Sequence, residues 1–112
     1  MILLQIYFEL APEQAEAFQA MYRNQYAPAL QQQQGYLSSR LLHLFPADVA
    51  AEIEASPTPF TYQMELVFDS EANRRRWVAS AEHSVLWPLA AGMAKSVAWR
   101  GYDVVAGDAK PG

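Results

Sequence analysis

Apolar and polar residues alternate along parts of this chain, and the alternation predicts four β-strands. Residues 2–10 and 60–68 place an apolar side chain at every second position, which is typical of a strand with one buried face. Residues 36–45 and 96–105 are the second and the last predicted strand. In 2–10 the opposite side carries Leu3, Gln5, Tyr7 and Glu9, so that side is only partly polar.

Two other segments repeat apolar residues every three to four positions and predict helices. The first begins at 11–13 and runs towards Gly35, with Pro28 expected to end or kink it near Tyr26. The second begins at a cap formed by Asp69 or Ser70 and gives way between 92 and 96. The long connection 46–59 has room for one or two helical turns within 47–55.

The order of the elements is β-α-β-β-α-β. This order predicts an α+β, ferredoxin-like fold, a four-stranded antiparallel sheet with both helices on one face. Residues 1–105 form the single domain, and 106–112 are expected to be a flexible tail.

Two helices cover one face of such a sheet, and the other face is too apolar to stay in water. If the hairpin that joins 45 and 60 is symmetric, Arg40 lies opposite Glu65. The uncovered face then carries Leu3, Arg40, Leu42, Leu44 and Val67. The last strand adds either Tyr102 and Val104 or Trp99 and Val105, depending on its register. A second copy packed sheet to sheet is the simplest cover, so we expect a homodimer.

Composition narrows the functional classes. The chain has 112 residues, 52% of them hydrophobic, a net charge of −4 and no cysteine. A packed domain is expected, and nucleic acid and membranes are not expected partners. Without cysteine, and with only two histidines, a metal site is not expected. The sequence contains no phosphate-binding loop and no nucleophile elbow. We expect the protein to be located in the cytoplasm.

The stretch WVASAEHSVLWP, residues 77–88, brings two tryptophans, a histidine and a proline into the second helix. Ser80 is expected to cap a restarted helix, with Glu82 in its first turn. His83 is either a proton carrier or part of this capped turn. Trp77 is expected in the core. Trp87 precedes Pro88, so the chain is expected to bend there and to turn the indole towards a pocket.

The segments GYLSSRLL (35–42) and FDSEANRRRWVASAEH (68–83), together with the order of the elements, resemble the dimeric α+β barrel superfamily. The branch that they resemble is the antibiotic biosynthesis monooxygenase-like domains. The resemblance implies a homodimer with packed sheets and a pocket between sheet and helices. Some members of the superfamily oxidise polycyclic aromatic substrates with oxygen and no cofactor, and others degrade haem.

The residues of the haem-degrading relatives are not matched here. Those relatives use an asparagine on the first strand, a tryptophan at the end of the third strand and a histidine late in the second helix. This chain has Gln5 and Tyr7, Phe68 and Trp87 at the corresponding places. Haem degradation is therefore not expected, and no cofactor is predicted.

These observations predict a pocket for a small aromatic molecule, lined by Gln5, Tyr7, Gln63, Glu65, His83 and Trp87. In a cofactor-free oxygenase, His83 or Glu65 would remove a proton from a phenolic substrate. Glu65 would act as a base only if it were unpaired, and an ion pair with Arg40 is the favoured interpretation. Two alternatives remain open, a binding protein without chemistry and a structural dimer whose cavity is filled by its own side chains.

Overall fold

A computed structural model describes residues 1–112 and contains one four-stranded sheet. Its strands are β1 (Ile2–Glu9), β2 (Tyr36–His43), β3 (Tyr62–Phe68) and β4 (Ser96–Asp103). All neighbouring strands are antiparallel, in the order β2-β3-β1-β4. The predicted α+β, ferredoxin-like architecture is confirmed.

Three strand ends lie closer to the centre of the sheet than the sequence predicts. β2 ends two residues early, β3 begins two residues late and β4 stops at Asp103. The pairing continues for one bond beyond the β2–β3 ladder, because the Leu44 amide donates to the Thr61 carbonyl over 2.8 Å. Beyond that bond the chain enters the long connection, where α3 (Ala47–Glu52) supplies the expected helical turns.

The first helical segment is continuous but changes its pitch. A 3₁₀ turn (Pro12–Gln14) leads into α1 (Ala15–Met21), a π-helical turn follows (Tyr22–Tyr26), and α2 (Ala27–Gln31) completes it. Pro28 has no amide hydrogen, and the wide turn lies directly before it, with the Ala27 amide bonded to the Tyr22 carbonyl. The helix therefore continues past Pro28 through a local widening. Gly35 adopts φ 78° in the turn that leads into β2.

The second helical segment is divided as the sequence predicts. α4 (Glu71–Val78) begins at the cap Ser70, whose Oγ accepts a hydrogen bond from the Asn73 amide over 3.2 Å. α5 (Ala81–Gly92) begins at the cap Ser80, whose Oγ accepts from the His83 amide over 3.1 Å. The predicted restart of the helix at Ser80 is confirmed.

The helix does not break at Trp87, and the prediction that its indole turns away from the regular face is wrong. α5 runs from Ala81 to Gly92 with Pro88 inside it, and Pro88 lies on the exposed side. Because the helix continues, Trp87 stays on its regular inward side and packs, half-buried, against the hydrophobic core. A proline inside a helix removes one backbone donor, yet the packing of Leu86 and Ala90 keeps this helix on the sheet.

The core lies between the helices and one face of the sheet. Trp77 is 1% exposed and belongs to this core, as predicted, together with alternate residues of β1 and β3 such as Phe8 and Met64. None of the five α-helices has the length and apolar character that a membrane-spanning helix requires.

Candidate functional site

The sheet has a second face without helices, which we call the open face. Residues directly opposite one another on antiparallel strands point to the same side, so the register defines this face. Leu3 pairs with Val67 and Tyr102, and Gln5 pairs with Glu65 and Arg100. The main open-face residues are Leu3, Gln5, Tyr7, Arg40, Leu42, Gln63, Glu65, Val67, Ala98, Arg100 and Tyr102, with Leu44 just beyond the end of β2.

All five residues predicted at the dimer interface lie on the open face: Leu3, Arg40, Leu42, Leu44 and Val67. The register also decides between the two alternatives for the last strand. Tyr102 pairs with Leu3 on the open face, whereas Trp99 pairs with Ile6 and lies on the helix-covered face. Tyr102 is therefore the aromatic side chain that β4 contributes to the open face.

A row of four polar side chains crosses the middle of the open face. We call Arg40, Glu65, Gln5 and Arg100 the central row, since each is the register partner of the next. The Arg40 Nη2 donates to Glu65 Oε1 over 2.5 Å, and the amides of Gln5 and Gln63 donate to Glu65 Oε2 over 3.3 and 3.2 Å. Glu65 is only 9% exposed although no helix covers it.

These contacts confirm the ion pair between Arg40 and Glu65. Both carboxylate oxygens of Glu65 already accept hydrogen bonds. Glu65 is therefore not an unpaired carboxylate within a single chain. The network extends to Tyr7, whose hydroxyl donates to Gln5 Oε1 over 2.5 Å. The carboxylate of Glu65 is thus satisfied by donors within the chain.

A groove of about 430 Å3 lies at the end of the open face next to the long connection, and we call it the Tyr7 groove. The rings of Tyr7 and Phe60 lie 5.7 Å apart on its wall. Its other lining residues are Leu42, His43, Leu44, Phe45, Thr58, Thr61, Tyr62 and Gln63. Six of these ten residues are hydrophobic, which suits an apolar or aromatic molecule.

Sequence reasoning identified Tyr7 and Gln63 in this groove but missed Phe45 and Phe60. These two aromatic residues flank the long connection, one just before Pro46 and one just after Pro59. Aromatic side chains on both sides of a proline-bounded connection are the signal that could have located the groove.

On the helix-covered face, His83 lies within an aromatic cluster formed by Trp77, His83, Trp87 and Trp99. The Trp77 ring meets the imidazole edge-on at 5.1 Å, and the Trp87 ring stacks on it at 6.3 Å. Trp87 also meets Trp99 at 5.7 Å and Phe8 at 6.1 Å. Burial lowers the pKa of His83, because the charged imidazolium is poorly solvated there. His83 is therefore neutral at pH 7.

The six residues predicted to line one pocket lie in two places. Gln5, Tyr7, Gln63 and Glu65 come together on the open face, whereas His83 and Trp87 lie on the helix-covered face. The sheet separates the two groups, since alternate residues of a strand point to opposite sides. One ligand cannot contact both groups within a single chain, so the prediction of one shared pocket is wrong.

Sequence reasoning also missed Arg100, the fourth member of the central row. Only the register of β4 against β1 places it there, and the sequence left two registers open for β4. Tyr7 lies close to it. Burial is the main cause that raises the pKa of Tyr7, the neighbouring Tyr102 raises it further, and Arg100 opposes the rise.

No group of three or more His, Asp or Glu side chains has the arrangement of a metal site.

Comparisons with known proteins support the fold. No family model matches the chain, and no curated protein matches it in sequence. HapK from Hahella chejuensis matches with a TM-score of 0.76 at 13% identity, over 100% of both chains. A variant of SnoaB from Streptomyces nogalater, a cofactor-independent oxygenase, matches with a TM-score of 0.71 at 14% identity, over 95% of this chain and 94% of that one.

A third solved structure, of an antibiotic biosynthesis monooxygenase, has a TM-score of 0.67 and 15% identity and covers 95% of this chain and 100% of its own. The resemblance inferred from residues 35–42 and 68–83 is therefore confirmed for the fold, and at these identities the likeness carries no further than the fold.

Proposed function

We propose that this chain forms a homodimer of the dimeric α+β barrel type and binds a small aromatic molecule between the two sheets. The observation that carries the proposal is the open face itself, which combines apolar side chains, the hydrogen-bonded carboxylate of Glu65 and the Tyr7 groove. A monomer would leave Leu42, Leu44 and Tyr102 in water, where they are 38%, 42% and 46% exposed.

The hydrogen bonds of Glu65 reduce the cost of burying its carboxylate in such a dimer. An unpaired buried carboxylate would oppose association, but Glu65 already has a charged partner and two amide donors within the chain. The network therefore needs little from a second copy, and the apolar residues around it supply the driving force for packing the two sheets.

The Tyr7 groove is the proposed binding site. Its volume of about 430 Å3 lies within the range of small-molecule pockets, and its walls are mainly apolar. Tyr7 and Phe60 would hold a planar ring by aromatic contacts, and the side chain of Gln63 would offer it a hydrogen bond. The groove is open on its outer side in one chain, and a second sheet would cover it.

Calorimetric titration with 2-naphthol tests this binding function. The wild-type protein should bind this probe, and Phe60→Ala should weaken binding about tenfold because one wall of the groove is lost. Val85→Ala is the matched control, since Val85 is exposed on α5, on the far side of the molecule. Absence of binding by the wild-type protein at millimolar probe, or equal affinities of wild type and Phe60→Ala, would refute the proposal.

A second candidate function is cofactor-free oxygenation, which the fold shared with SnoaB favours. A base would take the proton of a phenolic substrate, and the carbanion form of the phenolate would add to molecular oxygen to give a substrate peroxide. Neutral His83 has the protonation state that a base requires at pH 7. Because His83 lies on the helix-covered face, its substrate would have to bind beside Trp87 rather than in the Tyr7 groove.

Oxygen uptake with a set of phenols and quinols tests the second candidate. If His83 is the base, His83→Ala should lose at least a hundredfold in rate. Rates that are unchanged in His83→Ala remove His83 from the mechanism, and no uptake by the wild-type protein leaves binding as the function.

A further inference from the structure

We propose that Arg100, flanked by Tyr7 and Tyr102, forms an anion site on the open face that selects aromatic ligands carrying a carboxylate. The inference rests on the binding function proposed above and specifies the class of its ligand. The carboxylate would lie on the guanidinium of Arg100, while the aromatic ring would occupy the Tyr7 groove.

The register of β1 and β4 places these three residues together. Arg100 is the partner of Gln5, and the flanking rows contribute Tyr102, the partner of Leu3, and Tyr7, the partner of Ala98. Both tyrosine side chains are long enough to reach towards the central row, and the Tyr7 hydroxyl does so, since it bonds to Gln5 Oε1 over 2.5 Å. Tyr7 also lines the groove, so it joins the groove to the surroundings of Arg100.

Arg100 forms no ion pair within the chain. The chain contains ion pairs from Arg40 to Glu65 and from Arg74 and Arg75 to Glu71, and none involves Arg100. Both oxygens of Glu65, the sole acid of the central row, are occupied by Arg40, Gln5 and Gln63. Glu9, farther along β1, bonds to the Ser96 hydroxyl over 2.8 Å.

The unpaired charge of Arg100 matters once the open face is covered. A guanidinium removed from water without an anion is costly, whereas a bidentate bond to a carboxylate is among the strongest polar contacts in proteins. Arg100 has the planar donor arrangement that suits a carboxylate, and the hydroxyl of Tyr102 adds a further donor. A ligand that brings its own negative charge would therefore complete the central row.

Calorimetric titration with two matched probes tests the inference. Both 6-hydroxy-2-naphthoate and 2-naphthol have the same hydroxylated ring system, and only the first carries a carboxylate. The wild-type protein should prefer the naphthoate. Arg100→Gln should weaken the naphthoate about tenfold, the loss expected for one charge-assisted hydrogen bond, and leave 2-naphthol unchanged. Arg100→Lys should retain part of the preference.

The control is Arg76→Gln, which removes the same charge from α4 on the other side of the molecule and should change neither affinity. Unchanged naphthoate binding by Arg100→Gln, or an equal loss for both probes, overturns the anion site while the binding function stands. Failure of the wild-type protein to bind either probe overturns the binding function and the anion site together.

Sedimentation of Arg100→Gln and Glu9→Gln tests whether the anion comes from a carboxylate of a second copy rather than from a ligand. If Arg100→Gln and Glu9→Gln both convert a dimer into monomers, Arg100 pairs with a carboxylate across the interface and the ligand site is refuted. A dimer that survives both substitutions, together with the selective loss of naphthoate binding, supports the ligand site.

Discussion

At the scale of single residues, Glu65 is a carboxylate held close to the plane of a sheet by three donors from three strands. Simple counting across the hairpin predicts its partner Arg40, because the register fixes which residues are opposite. The bonds from Gln5 and Gln63 were not predictable, since they depend on how long side chains fold over the sheet rather than on their positions in the sequence.

His83 provides a prediction about pH. Burial lowers its pKa in the folded protein below the ordinary value of 6.5, so the unfolded chain binds a proton more readily. The contribution of His83 to the free energy of unfolding should therefore be complete above pH 6.5. It should be lost as the pH falls through the pKa of folded His83. Urea denaturation between pH 5 and 7, at one protein concentration, measures this dependence.

His83→Gln should remove this part of the pH dependence, whereas His43→Gln, which removes the other histidine of the chain, should retain it. An identical pH dependence in wild type and His83→Gln would show that the imidazole is as well solvated in the folded state as in the unfolded one.

Two glycines provide a matched pair of substitutions. Gly35 has φ 78°, and a Cβ there would meet the side chains of Asn73 and Asp69, with Asn73 Cβ at 2.7 Å. Gly35→Ala should therefore destabilise the fold by about 1–3 kcal/mol or more. At Gly92, the last residue of α5, no atom lies within 4 Å of such a Cβ, so Gly92→Ala should stabilise the fold by about 0.5–1 kcal/mol.

Urea denaturation compares the two glycine variants with wild type. Opposite signs are expected, and destabilisation of similar size at both positions would contradict the geometry of the turn at Gly35.

At the scale of elements, the break between α4 and α5 depends on Ser80. Its hydroxyl accepts from the His83 amide and donates to the Trp77 carbonyl over 2.7 Å, so it joins the end of one helix to the start of the next. Ser80→Ala should lower the free energy of unfolding by about 1–2 kcal/mol. Equilibrium denaturation by urea gives the difference.

Ser84→Ala is the control for this cap. The Ser84 hydroxyl is exposed and donates within α5 to the Ala81 carbonyl, an interaction that does not stabilise helices. The change should be neutral or slightly stabilising, by about 0.5 kcal/mol. Equal losses at the two serines would mean that Ser80 is not acting as a cap.

The number, type and order of the main elements could be predicted from sequence, because alternation and helical repeats reflect which side of each element is buried. The same patterns did not predict that the helices would continue through their two prolines. Pro28 and Pro88 both lie in segments whose apolar residues pack on the sheet, and this packing keeps the segments helical at the expense of a backbone bond. The π-helical turn also holds Tyr26, whose buried hydroxyl has no partner.

At the scale of the whole molecule, the proposed dimer depends on the open face. Leu42→Asp places a charge among apolar residues that a second copy is expected to cover, so it should convert a dimer into monomers at micromolar concentration. Val85→Asp adds the same charge on the exposed side of α5 and should leave the assembly unchanged. Analytical ultracentrifugation of both variants and wild type decides the matter, and a monomeric wild-type protein would contradict the dimer.

The site was predicted less well than the fold, for a reason of topology. The residues singled out in the sequence were chosen for their chemistry, and chemistry does not indicate which side of a sheet a helix will cover. Once β1 and β3 are in place, Gln5 and Glu65 lie on one side and His83 on the other. Arg100 and Phe60 escaped notice because neither belongs to a motif.

The division of the molecule into two faces has an optical consequence. Trp77, Trp87 and Trp99, the full set of tryptophans, lie on the helix-covered side, whereas Tyr7 and Tyr102 lie on the other. Indole emission therefore reports the integrity of the helical layer. Phenol absorbance belongs in part to that surface, so a single sample carries separate spectroscopic labels for its two sides.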